Sequence, residues 1–130
     1  MNFAIDRIDH LVLTVRDLAA SLRFYERVLG ARVVPPYKGR GPAAVAFGRQ
    51  KINIHVAGKE FEPKATIPTV GSGDFCLITE SPIEAVVEHL ATCGIAIELG
   101  PVPRMGALGP MTSVYFRDPD GNLVEVARYG

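Results

Sequence analysis

Excess charge of either sign is missing from this 130-residue chain, in which fourteen Lys and Arg balance fourteen Asp and Glu. A basic surplus of the kind that holds a phosphate backbone is therefore absent, and nucleic acid is not an expected partner. No apolar run approaches the roughly 20 residues that cross a bilayer, so no membrane partner is expected either. The opening Met1-Asn2-Phe3-Ala4-Ile5-Asp6-Arg7 lacks the basic-then-apolar order of a secretory leader. Cysteine is scarce. Cys76 and Cys93 stand without C-x-x-C spacing, which reads as reduced thiols in a cytoplasmic protein. What remains is an ordinary composition, 48% hydrophobic and 22% charged, sized for one domain with a real core.

The pattern along the chain is written twice. "IDHLVLTVRD" (8–17) alternates as a strand does, with Ile8, His10, Val12 and Thr14 on one face. Asp17 is placed to cap a helix whose apolar stripe is Leu18, Leu22, Tyr25 and Leu29, and Gly30 closes it. "ARVV", "AAVAFG" and "KINIHVAG" read as three strands parted by Pro, Gly and charged turns. Residues 58–73 are polar and rich in Gly, Pro and Thr, and read as a linker. "DFCLITE" (74–80) then begins the second round. Ser81-Pro82-Ile83-Glu84 has the form of a capping box, Ile83, Val86, Val87 and Leu90 make the stripe, and Gly94 ends the helix. "AIEL", "TSVYF" and "NLVEVARY" are the expected strands, with "GPVPRMGALGP" as a loop between the first two.

A shift of 64 residues carries Asp17 onto Ser81, Gly30 onto Gly94 and His10 onto Asp74. The expected fold is α+β: a β-α-β-β-β module over 5–57, the linker over 58–73, and a second such module over 74–129, together forming one domain of residues 1–130. Two curved four-stranded sheets with helices outside would cover both open sheet faces. Counting from Phe47 and Phe116 as anchors, His55 and Glu125 fall at matching places on the last strands.

His10, His55, Asp74 and Glu125 are thus the polar residues that the repeat singles out on the first and last strand of each module. Each interrupts an otherwise apolar strand. Burying an unpaired carboxylate costs several kcal/mol, so such groups are usually paired or bound to a cation. Two imidazoles with carboxylates suit a divalent ion such as Zn²⁺, Ni²⁺, Mn²⁺ or Fe²⁺. Against this, a single strand histidine is more often a satisfied core residue, and Asp74 after Gly71-Ser72-Gly73 can simply cap a turn. Lys38, Arg40 and Arg104 lie in Gly- and Pro-rich stretches where one of them can meet an anionic substrate.

"IDHLVLTVRDLAASLRFYERVLG" and "SVYFRDPDGNLVEV" resemble the vicinal oxygen chelate superfamily, which includes glyoxalase I, fosfomycin resistance proteins, extradiol dioxygenases and bleomycin resistance proteins. "QKINIHVAGKEF" and "GPVPRMGALGP" are most similar to small lactoylglutathione-lyase-like or virulence-associated members. The resemblance implies a pair of half-barrels and metal ligands at His10, His55, Asp74 and Glu125, although the family more often has histidine where this chain has Asp74. It further implies a homodimer and a small-molecule substrate, such as a glutathione adduct. The activity it implies is a metal-dependent lyase or isomerase of glyoxalase type, working through a metal-stabilised enediolate with Glu125 as base. Alternatives within the same resemblance are an Fe(II) dioxygenase, a fosfomycin-type epoxide-opening enzyme, and a metal-free drug-binding protein of bleomycin-resistance type.

Overall fold

A computed structural model describes all 130 residues, which divide into two compact units, Met1–Thr69 and Val70–Gly130. The first unit runs β1 (His10–Val15), α1 (Leu18–Leu29), β2 (Arg32–Val34), β3 (Ala43–Phe47) and β4 (Gln50–Val56). Its sheet has the order β1-β4-β3-β2, parallel between β1 and β4 and antiparallel elsewhere. The alternation of β1 and β4 puts Leu13, Val15, Ile52 and Ile54 into the core with Tyr25 and Val28 of α1. Full burial of each large side chain there contributes about 1.5–3 kcal/mol. Asp17 caps α1 by accepting the Ala20 N–H at 3.1 Å, and Gly30 ends it at φ 67°, a left-handed angle that costs glycine little.

The second unit repeats the plan with β5 (Asp74–Ile78), α2 (Ile83–Thr92), β6 (Leu99–Gly106), β7 (Gly109–Arg117) and β8 (Leu123–Tyr129). Its order is β5-β8-β7-β6, again with the first and last strands parallel. Val114, Phe116, Val124 and Val126 form the core beneath α2, which contributes Ile83 and Leu90. The architecture is therefore α+β, with two βαβββ modules on mixed sheets. No helix is long and apolar enough to cross a membrane.

Two local expectations are corrected. The capping box at Ser81–Glu84 does not form: Pro82 is the N-cap of α2, and no side chain caps the helix. Pro82 instead sets the chain direction, since its ring fixes φ near the observed −57°. The stretch read as a loop, "GPVPRMGALGP", holds a full strand and its hairpin, and β6 replaces the expected "AIEL" strand except at Leu99. β6 is an edge strand, which is where Pro101 and Pro103 can lack an N–H without breaking a ladder on both sides. Gly100, at φ 116°, lies so close to β7 that a Cβ would meet the Ser113 carbonyl oxygen at 2.5 Å.

Candidate active site

Each sheet has one face against its helix and one opposite face, and the polar residues of interest lie on the latter. In the second unit this face is built in rows across the strands: Asp74, Leu123 and Arg117; then Cys76, Glu125, Tyr115 and Leu99; then Ile78, Ala127, Ser113 and Val102. Glu125 is half-buried in the second row. Its Oε2 accepts the hydroxyl of Ser113, one row along, at 2.6 Å. Ser113 is fully buried, so its hydroxyl is committed to this one carboxylate and holds it in place.

Cys76 stands directly opposite Glu125. Loss of water around its sulfur, followed by the neighbouring Glu125 charge and hydrogen bond, pushes its thiol up to about 12. The thiolate is the nucleophile, so Cys76 is a poor one at neutral pH. We expect iodoacetamide at pH 8 to alkylate Cys76 at least about tenfold more slowly than free cysteine, after allowing for the greater nucleophilicity of a more basic thiolate. Glu125→Gln removes the charge but not the desolvation, and should restore only part of the rate. Peptide mass spectrometry, which separates Cys76 from Cys93, follows both. An unchanged Cys76 rate in Glu125→Gln would show that the carboxylate does not govern the thiol.

Asp74 is exposed at the head of β5, in the row of Arg117. Arg117 already makes a two-pronged pair with Glu98, at 3.0 and 2.9 Å, which raises the arginine further and holds Glu98 below the ordinary carboxylate range. In the first unit, His10 is exposed at the head of β1, and its Nδ1 lies 2.8 Å from the Asp9 carboxylate. That hydrogen bond holds the Asp9 carboxyl below its usual value. When His10 is neutral it also puts the proton on Nδ1 and leaves the Nε2 lone pair for a ligand, the orientation that metal-bound histidines take.

His55 is placed otherwise. It is buried, packs edge-on against Phe61 at 5.6 Å between ring centroids, and is opposite Thr14. His10 is opposite Lys51, four register positions away, or about 13 Å along the strands. The first unit does not bring its two histidines together. Within neither unit do three His, Cys, Asp or Glu side chains gather to hold an ion.

The registers reveal a residue that counting along the sequence missed. Glu125 is opposite Cys76, the third residue of β5; the third residue of β1 is Val12, and it is opposite Asn53. Asn53, not His55, is thus the counterpart of Glu125, while His55 matches Ala127. Anchoring on Phe47 and Phe116 failed because the two are not equivalent: Ala44 is opposite Asn53 as Tyr115 is opposite Glu125, so the counterpart of Phe116 is Val45, and the count overran by two residues. Asn53 Oδ1 is buried and has no hydrogen-bond partner. An unsatisfied buried acceptor costs about 1–3 kcal/mol, so a donor or cation supplied by a ligand would relieve it. A polar side chain on the open-face parity of "KINIHV" was the available signal. By their chemistry, the oriented imidazole and orphaned amide oxygen of the first unit, and the fixed carboxylate of the second, are each donors that a divalent ion accepts.

Residues 7–126 match the family model described as Glyoxalase/Bleomycin resistance protein/Dioxygenase superfamily. The chain belongs to this superfamily. Virulence protein STM3117 of Salmonella typhimurium is 54% identical over 129 residues, covering 99% of this chain and 88% of that protein. Its crystal structure superposes with a TM-score of 0.95 at 53% identity, covering 98% of this chain and 100% of that one. Glyoxalase domain-containing protein RDO1 of Mycosarcoma maydis is 47% identical over 98% of this chain and 71% of its own length. A lactoylglutathione lyase from Agrobacterium tumefaciens shares the superfamily fold at TM-score 0.72 and 26% identity, covering 95% and 94% of the two chains. The family match thus runs from ahead of β1 into β8, through both modules.

Proposed function

We propose that this superfamily member is a metal-dependent lyase or isomerase of glyoxalase type, acting on a small molecule with two neighbouring oxygens. The observation that carries the reading is the Ser113 hydroxyl fixed 2.6 Å from Glu125 Oε2, which aims a carboxylate out of an otherwise apolar strand. The ion would be held by His10, Asp74 and Glu125, with Asn53 Oδ1 at the place equivalent to Glu125 and His55 as the remaining candidate. When bound, a divalent ion would supply positive charge against the negative charge that develops on the substrate oxygens. Glu125 would take the proton from the carbon beside the carbonyl and return it to the neighbouring carbon, with Ser113 holding its second oxygen still. Asp9 would keep the His10 ring in one tautomer. Leu123, beside Glu125 on the same face, and Tyr115, across from it, would keep water from the migrating proton.

The similarity to the Agrobacterium lyase favours the hemithioacetal of methylglyoxal and glutathione as the first substrate to try. Protein purified without chelator should carry stoichiometric metal, measured by elemental analysis, and should lose it in His10→Ala. No turnover of the hemithioacetal with Zn²⁺, Ni²⁺, Mn²⁺ or Fe²⁺ would remove this reading.

A further inference from the structure

Arg104 reaches across the same sheet face toward Glu125 and has no acid to meet there. It is opposite Met111, while Tyr115 is opposite Glu125. The row between them holds Ser113 and Ala127, both fully buried. Arg104 and Tyr115 nevertheless touch: Arg104 Nε donates to the Tyr115 hydroxyl at 2.9 Å, and the guanidinium carbon is 5.4 Å from the ring centroid. Their side chains therefore lie along the face and meet over the Ser113 row. Arg104 Nη1 makes one further bond, to the Pro103 carbonyl at 3.0 Å. Both acceptors are neutral.

A guanidinium has five N–H donors. Two of those of Arg104 are used, and both fix its orientation. The other three have no acceptor, and no carboxylate offsets the charge, whereas Arg117 on the same face is paired with Glu98. A planar fork of donors already held in one geometry suits the two coplanar oxygens of a carboxylate, and less is lost on binding because the side chain is pre-ordered.

We propose that Arg104, positioned by Tyr115, binds a carboxylate of the substrate, and that the substrate class is therefore a small carboxylic acid bearing the vicinal oxygens. The inference rests on the reading of Glu125 as the reacting group only for what happens after binding. Tyr115 lies directly across from Glu125, so a molecule anchored by its carboxylate on Arg104 extends along Tyr115 to that residue. Arg104 is a specificity determinant here, and Tyr115 a positioning residue.

The test is an NMR titration of the full chain with lactate and with lactamide, its neutral counterpart, at fixed ionic strength. Lactate should bind at least about tenfold more tightly, the span that a charge-assisted hydrogen bond contributes, and should shift the Arg104 Nε–H resonance. Arg104→Gln should bring lactate down to the level of lactamide. Tyr115→Phe should cut the advantage of lactate several-fold and leave lactamide unchanged, which a general loss of structure would not do. Arg128→Gln should alter neither. Lactate that binds no better than lactamide, or that keeps its advantage in Arg104→Gln, overturns the proposal. Carboxylate preference without hemithioacetal turnover would sink the glyoxalase reading and leave this one standing; turnover whose KM ignores Arg104→Gln would do the reverse.

Discussion

Glutamine in place of Glu125 is expected to lower kcat/KM for the hemithioacetal by about a thousandfold or more, with the protein still folded. The side chains are nearly the same size, and the glutamine carbonyl can accept the Ser113 hydroxyl just as the carboxylate does. What is lost is the ability to take a proton and the negative charge proposed to face a cation. Ser113→Ala should act in the same direction by a smaller factor, about ten- to a hundredfold, because the carboxylate survives but is no longer held. Steady-state kinetics with metal content measured on the same samples separates the two causes. A fall in kcat at full metal occupancy marks the proton-transfer role, and a fall that tracks the missing metal marks the ligand role. Glu125→Gln enzyme turning over at the parental rate would end the proposed mechanism.

Asn122→Ala should cost about 3 kcal/mol of stability, read from urea unfolding, which is large for a polar substitution. Asn122 is 1% exposed and makes four hydrogen bonds, one of them its carbonyl accepting the Asp118 N–H at 3.1 Å. Its Nδ2 donates to Asp118 Oδ2 at 2.7 Å, its backbone N–H donates to Asp118 Oδ1 at 2.9 Å, and its Oδ1 accepts the Gly73 N–H at 2.7 Å. Alanine keeps only the two bonds made by the backbone. It leaves the Gly73 N–H without this acceptor and the buried Asp118 with one donor fewer. The last bond has a further effect, because Gly73 immediately precedes β5 and accepts the Leu123 N–H at 2.9 Å. The Asp118–Asn122 turn therefore sets how β5 lies along β8, and with it which residue is opposite Glu125. A weaker anchor there should lower activity along with stability. An Asn122→Ala protein as stable as its parent would show that the network contributes little.

Much of this was legible in the residues. Asp17, Gly30 and Gly94 punctuate the helices, and strand alternation separated Leu13 and Val15 from His10 and Thr14 correctly. Ser81 misled because a capping box is a short motif, and Pro82 took the capping position itself. β6 was hidden by Pro101 and Pro103, which argue against a central strand but are tolerated at an edge. Asn53 was missed for a different reason. Register across a parallel pair depends on turn length and on hydrogen bonds far apart in sequence, so an amide at 53 and a carboxylate at 125 become equivalent only once the ladders are known. The Ser113–Glu125 and Arg104–Tyr115 contacts likewise join neighbouring strands at offsets that no local pattern encodes.

In each sheet the strand made last lies in the interior, bonded on one side to the strand made first and on the other to its own hairpin partner. A ribosome that has released Val56 has therefore delivered every strand of the first unit, whereas one that has released Arg117 has made three strands of the second and still lacks its middle. Chains cut short before Leu123 would leave β5 and β7 with a bare gap between them, two unpaired edges that invite aggregation, so a nonsense change just ahead of Leu123 should be as damaging as one much earlier.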